Sequence, residues 1–395
     1  MNPRANPYAP GAGTPPPELA GRDANLEASA VALDRMRAGL TARSLMLVGL
    51  RGVGKTVLLN RLHQDAEAQG FATVMLEAPE QRSLPALLAP ALRVALLQLD
   101  RTAAASALAQ RAMRALGGFV QSMKLKYADI EFGVDLGLEP GVADTGDLDA
   151  DLTALLRSAG EAARERGTVL ALFIDELQYV PEAQLAALIT ALHRCSQLLL
   201  PVTLVGAGLP QLMGQLGRAK SYAERLFEFV PVGPLPDAAA RQAISAPARR
   251  AGVEFSGDAL QEILRQTHGY PYFLQEWGKH SWACATASPI TLSDVQVATV
   301  QALAQLDASF FQVRLDRLTP SEKRYLRAMA ELGPGPHRSG DISAVMGREV
   351  QTAAPTRAKL IAKGMVYSPA HGETGFTVPL FDAFMRRVVP AMPAA

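Results

Sequence analysis

Cysteine is nearly absent from this chain: two in 395 residues, Cys195 and Cys284, at no spacing that a metal or redox pair uses. A disulfide framework is thereby excluded, and two reduced thiols are the expectation. Charge of one sign is missing as well. With 39 Lys and Arg against 38 Asp and Glu the net charge is +1, so no global field attracts a polyanion and any nucleic-acid surface has to be local. Long apolar runs are missing too. "TVLALFI" and "LLLPVTLVGAGLP" are too short, or too broken by Pro and Gly, to span a bilayer, and no membrane association is expected. The opening "MNPRANPYAPGAGTPPPELAGRD" has no apolar core of a signal peptide, which makes a cytoplasmic location the expectation. Its prolines and glycines predict an extended arm over residues 1–19. There are no internal repeats. What is present is 49 % apolar and 19 % charged, material for two or three globular domains with real cores.

Five short apolar runs alternate with amphipathic stretches up to about residue 235: "SLMLVGL" (44–50), "FATVMLEA" (71–78), "TVLALFIDEL" (168–177), "VTLVGAG" (202–208) and "FEFVPVG" (227–233). Their apolar residues are continuous rather than alternating, as in strands of a parallel sheet buried on both faces. Helical patterns such as "ANLEASAVALDRMRAGL" and "AQLAALITALHRCSQLLL" lie between them, so the region 20–236 reads as an α/β domain. One segment, "MKLKYADIEFGVDLGLEPG" (123–141), alternates with period two and predicts an inserted hairpin. From 237 to 308 the pattern is all helical, with Asp237, Ser256 and Ser293 as capping candidates and Gly269 as a helix stop. From 309 to 395 a third unit begins on a capping box, Thr319 with Glu322, in "LTPSEKRYLRAMAELG". The helical pieces "SGDISAVMG" and "APTRAKLIAKG" follow, then "MVYSP" and "GFTVPL" around the turn "AHGETG". Three helices and a β-ribbon predict a winged helix-turn-helix.

The chemistry concentrates in two places. Gly49-x4-Gly54-Lys55-Thr56 follows a strand and opens a helix, the context a phosphate-binding loop requires. The loop Gly49, Leu50, Arg51, Gly52, Val53, Gly54, Lys55, Thr56 and Val57 offers backbone N–H groups and a helix N-terminus to phosphates. Lys55 reaches the outer phosphates of ATP, and the Thr56 hydroxyl can ligate Mg²⁺. The second place is the end of "TVLALFIDELQYV". Asp175 suits Mg²⁺ and Glu176 suits the orientation or deprotonation of a water attacking the γ-phosphate. Gln178 either helps position that water or is a solvated glutamine. Together these residues predict Mg²⁺-dependent hydrolysis of ATP, with catalytic Lys55 and Glu176.

With these motifs in place the chain resembles the P-loop ATPases of the AAA+ and STAND group, in the bacterial and archaeal branch similar to origin-recognition ATPases. The residues that carry the resemblance are "LAGRD" (19–23), "VGLRGVGKT" (48–56), "LFIDELQ" (172–178), "VTLVGAGLPQL" (202–212), "AKSYAERLFEF" (219–229) and "HGYPYFLQ" (268–275). It implies a three-layer P-loop NTPase domain with a parallel sheet, an all-α lid and a C-terminal winged helix. It implies that Arg22 lies near adenine, the alternative being a solvated arginine beside a helix cap. It implies that Arg225 acts as a catalytic arginine on the γ-phosphate of a neighbouring subunit, hence a homo-oligomer, the alternative being a simple pairing of Glu224. Pro271 would pack on the nucleotide, or merely start a helix. Two departures stand out. The strand end "VGAG" has no polar residue to sense the γ-phosphate, and no sensor arginine lies beside Gly269-Tyr270-Pro271. Both point to a slow switch rather than a vigorous motor.

The C-terminal unit, from residue 310, has twelve Lys/Arg and seven acids, a net +5. Its predicted recognition helix, 354–363, carries Arg357, Lys359 and Lys363, which makes duplex DNA one expected partner, held by salt-sensitive phosphate contacts. The alternative is a signalling scaffold whose winged helix binds protein. The wing tip, with Glu373 and no arginine, leans toward that alternative.

Overall fold

A computed structural model describes residues 1–11, 13–78, 82–100, 107–124, 126–127, 129–130 and 141–390. The first part runs α1 (Asp23–Arg37), β1 (Ser44–Val48), α2 (Lys55–Ala68), β2 (Ala72–Glu77), α3 (Leu84–Asp100), α4 (Ala107–Lys124) and α5 (Leu148–Glu165). It continues through β3 (Leu170–Asp175), α6 (Glu182–Gln197), β4 (Val202–Gly208), α7 (Gln211–Ala219), α8 (Ala223–Leu226) and β5 (Phe227–Pro231). The five strands are parallel, in the order β2-β3-β4-β1-β5. Successive strand residues point to opposite faces. Met46, Leu172 and Leu204 pack on one side with α3–α6, while Leu47, Phe173 and Val205 pack on the other with Leu58, Leu59 and Leu62 of α2. Both faces are covered, which is why the strands read as unbroken apolar runs. The result is a three-layer α/β P-loop NTPase fold. Its register puts Val48 beside Gly208 and Ile174 beside Gly206, so β1, β3 and β4 end together at one edge of the sheet.

Four helices follow: α9 (Asp237–Arg250), α10 (Gly257–Thr267), α11 (Pro271–Cys284) and α12 (Leu292–Gln305). The chain stays helical through a π-turn at Leu306–Phe311 and α13 (Gln312–Asp316). Next come α14 (Pro320–Leu332), β6 (His337–Arg338), α15 (Ser339–Val345), α16 (Val350–Ala362), β7 (Val366–Tyr367), β8 (Glu373–Phe376) and α17 (Phe381–Val388), the strands forming an antiparallel sheet in the order β6-β8-β7. One apolar core runs through all of it, from Ile244 and Trp277 to Phe311, Tyr325 and Phe384.

The capping box at Thr319–Glu322 is present. Asp237 is instead the first residue inside α9, and Ser293 lies inside α12, whose cap is Thr291 boxed with Asp294; a hydroxyl two residues closer to the chain start reaches the free N–H groups better. Ser256 does sit at a cap position, but its hydroxyl donates to Asp258. Most of the expected hairpin at 123–141 lies outside the described residues, and its first two residues belong to α4. Both cysteines are free, and burial pushes the Cys195 thiol up to about 12. Among the described residues no helix is long and apolar enough to cross a membrane.

The N-terminal arm runs antiparallel along α11 and its C-terminal flank. The Trp282 indole donates to Asn2 O at 3.0 Å, the Asn6 amide to Lys279 O at 3.0 Å, and the Tyr8 hydroxyl to Ile244 O of α9. Tyr8 is buried, and its ring fills the space left by Gly278, where a Cβ would lie 2.6 Å from the ring. Gly278→Ala is therefore expected to expel the ring and cost about 1–3 kcal/mol. Thermal denaturation reads the loss, and limited proteolysis should cut the arm before the rest of the chain.

Candidate nucleotide site

The loop after β1 turns onto α2 at Gly54, whose φ of 89° suits glycine and leaves the first N–H groups of α2 without a side-chain cap. At Gly49 the backbone passes so close to Val232 that a Cβ would lie 2.0 Å from its carbonyl oxygen. Lys55 is buried and donates to Leu50 O at 3.0 Å. Burial lowers its pKa, against the opposing pull of Glu176 and Asp175. Thr56 donates its hydroxyl proton to the Asp175 carboxylate at 2.6 Å, and the other Asp175 oxygen accepts the Glu176 N–H at 2.8 Å. Burial raises the Asp175 pKa; the Thr56 bond is the largest influence the other way. Glu176 has φ of 54°, the left-handed bend that swings the chain out of β3 into the turn Leu177–Tyr179.

Over these groups lies a cavity of about 370 Å³. Its floor is Arg51–Val57 with Glu176; its walls come from α11 (Pro271, Tyr272, Gln275), from Phe310 and Arg314, and from the arm between Ala9 and Ala20. A Cβ on Gly13 would meet the Thr56 methyl at 3.4 Å. The Tyr272 N–H reaches Gly52 O at 3.3 Å, which seats the start of α11 on the loop. Arg22 is buried, donating to Val53 O at 3.0 Å and Gly233 O at 2.6 Å. It braces the loop from inside the cavity wall and is not the solvated arginine of the alternative reading. Arg314 lies 3.9 Å over the Phe310 ring. Burial, then the nearby Arg51, pushes its pKa down to about 10. Arg51 donates to the Tyr179 hydroxyl at 2.6 Å, and its Nε has no hydrogen-bond partner. Lys55, Arg51 and Arg314 thus converge on one cavity, a charge distribution that fits a polyphosphate. Thr56 and Asp175 form a hard oxygen pair that fits Mg²⁺.

Pro271 lines the cavity and is the first residue of α11. Arg225, read as acting on a neighbouring copy, is exposed on α8, in a separate surface cleft with Arg35, Arg43 and Glu228. The motif reading missed the arm, Tyr272, Gln275, Phe310 and Arg314. Tyr272 and Gln275 stand in the quoted "HGYPYFLQ" with no role expected of them, Phe310, Arg314 and the arm before Leu19 belong to no motif, and only tertiary packing brings them all to the loop. Gln178 is also corrected. It is buried, not solvated, and its amide donates to the Glu176 carboxylate while its oxygen accepts the Leu209 N–H at 3.0 Å. The bare "VGAG" strand end has the same cause: a Cβ on Gly208 would lie 2.7 Å from the Gln178 oxygen, and one on Gly206 2.4 Å from Leu177. There is no room for a polar side chain there.

Residues 18–205 match the family model described as "AAA ATPase domain". Over these residues the chain is similar to the AAA ATPase domains, in keeping with its P-loop fold. Residues 308–385 match a second model, "Domain of unknown function (DUF8462)". No curated protein matches the sequence. Among solved structures the chain is similar to the Walker-type ATPase PABY2304 of Pyrococcus abyssi, at 15 % identity and a TM-score of 0.60, covering 94 % of this chain and 98 % of that one. It also aligns with Aeropyrum pernix Orc1 in complex with DNA (15 % identity, TM-score 0.47, 94 % and 93 % covered). A third alignment is with the Thermotoga maritima RuvB Holliday junction branch migration motor (18 %, 0.45, 90 % and 92 %). The fold is shared with the Pyrococcus abyssi ATPase, and the match to the AAA ATPase domain makes the protein an ATPase. Lys55→Ala is expected to weaken ATP binding by about tenfold or more. Because it also removes a buried ammonium, the unliganded melting temperature should not fall; the stabilisation by added ATP should.

Proposed function

We propose that the protein is a Mg²⁺-dependent ATPase working as a slow nucleotide switch, with an ATPase core over 20–236, a helical lid over 237–308 and a winged helix over 309–395. The observation that carries this reading is the convergence on one cavity of Lys55, Glu176 and Thr56, the last hydrogen-bonded to Asp175. ATP is the substrate. Gly49–Val57 and Lys55 hold its phosphates, Arg22 braces the loop, and Pro271 closes from the lid. Mg²⁺, held by Thr56 and Asp175, would neutralise charge on the phosphates. Glu176 takes the proton from water as the water oxygen bonds to the γ-phosphorus and the ADP oxygen leaves with the bonding pair. Arg225, exposed and remote from its own cavity, would act on a neighbouring copy in a homo-oligomer.

The C-terminal unit is placed to report the nucleotide state. The Arg51 N–H donates to Thr377 O at 3.1 Å, a Cβ on Gly364 would lie 2.7 Å from the Arg51 guanidinium, and Gln211 reaches Ile361 O of α16. A loop that reshapes around nucleotide therefore pulls on this unit directly. Duplex DNA is a second reading, favoured by the exposed Arg324, Arg338, Arg348 and Lys359. Against it, Arg357 is bound to Thr374, Ser368 and Glu373 O, and Lys363 to buried Glu322. A protein partner for the same unit is the alternative.

The deciding experiment measures ATP turnover, nucleotide binding and duplex-DNA retention for wild type and Glu176→Gln in the same samples. The variant should bind ATP and lose about a hundredfold or more in turnover. Full turnover in the variant rejects the assignment of the base. DNA held at low salt and released at high salt supports the second reading; no retention in the ATP-trapped state removes it. Protease cleavage between 235 and 320 should differ between the ATP and ADP forms, and an identical pattern rejects the switch. Arg225→Ala should leave ATP affinity intact while turnover drops on the order of a hundredfold and no longer rises with protein concentration.

A further inference from the structure

Gln178 lies on the turn after β3, with 6 % of its surface exposed. Both ends of its amide are engaged. The oxygen accepts the Leu209 N–H at 3.0 Å, and the nitrogen donates to one oxygen of the Glu176 carboxylate. Its own backbone carbonyl accepts from the Gln215 amide at 3.2 Å. Leu209 N–H can only donate, so the amide has a single workable orientation, nitrogen toward Glu176. The neighbouring strand end is built around this side chain, since any Cβ on Gly208 would strike its oxygen.

We propose that Gln178 is the positioning residue for Glu176. It fixes the rotamer in which the carboxylate faces the cavity, and it anchors that rotamer to the turn between β4 and α7. The proposal rests on Glu176 being the base that accepts the water proton. A carboxylate on a bend with φ of 54° has no helix or strand to orient it, and among the described residues the side chain hydrogen-bonded to Glu176 is that of Gln178. The anchor is not inert. A Cβ on Gly364 would lie 3.2 Å from Leu209 Cδ1, and Gln211, the first residue of α7, reaches Ile361 O. A shift of the C-terminal unit that moves Leu209 therefore moves Gln178 and, through it, the base. The path has two hydrogen bonds and needs no contact between the C-terminal unit and nucleotide.

The test compares wild type, Glu176→Gln, Gln178→Glu and Gln178→Met by steady-state ATP turnover and thermal melting with and without ATP. Gln178→Glu keeps the volume and the acceptor for Leu209 but replaces the donor by a carboxylate facing Glu176. Gln178→Met keeps the volume and removes both bonds. The expected result is a kcat lower by about ten- to a hundredfold in both, with KM for ATP and the ATP-induced rise in melting temperature unchanged. Wild-type kcat in Gln178→Glu while Glu176→Gln is inactive overturns this proposal and leaves the base assignment standing. Undiminished turnover in Glu176→Gln overturns both. A rise in KM together with a lower melting temperature in both Gln178 variants makes the residue structural and also overturns it.

Discussion

The hydrogen bond from Thr56 to Asp175 is the joint on which the site depends. It ties the first turn of α2 to the end of β3 at 2.6 Å, across 119 residues of sequence. A buried carboxylate without that partner would carry an uncompensated desolvation cost, so the two elements hold one another in register. The parallel sheet delivers both to the same edge. The arrangement is also built for exchange: the oxygens that satisfy each other here are the ones a hard cation takes.

Two bodies meet over that joint. One is the ATPase core, with apolar layers on each side of its sheet; the other is a single core that runs from the lid into the C-terminal unit. Among the described residues two backbone hydrogen bonds join them at the phosphate loop, Tyr272 N–H to Gly52 O and Arg51 N–H to Thr377 O. Because the lid and the last unit share one core, they move as one body more readily than against each other. The phosphate loop lies where the two meet.

The five strands and the loop were legible in the sequence because burial on both faces and the strand–glycine–helix context leave strong local traces. The lid was less so. α11 buries Phe273, Leu274, Trp277 and Trp282 together with Gln275, Glu276 and Ser281, so it has no clean polar face to announce a helix, although it carries Tyr272 and Gln275 to the cavity. Arg314 and Phe310 were invisible for another reason: they reach the cavity from a segment that the domain pattern assigns to the C-terminal unit. Gln178 was visible as a residue but not as a partner. Its role follows from Leu209 and Gly208, thirty residues on, and from the space that two glycines leave. The positive charge of the C-terminal unit misled in part, since Arg357 and Lys363 spend theirs on the fold itself.

The arm's route has a consequence for how the protein is made. Residues of the arm find their seat on residues synthesised much later, with a separation of 236 positions from Tyr8 to Ile244 and 273 from Asn6 to Lys279. Contacts of such long range form last, because the chain between them must be ordered before their closure is rewarded. On the ribosome the sheet and phosphate loop can assemble while the cavity still lacks its arm wall and its lid. An emerging chain thus passes through a stage in which an open phosphate site is already present, and a nucleotide captured then would be enclosed as the lid and arm close over it.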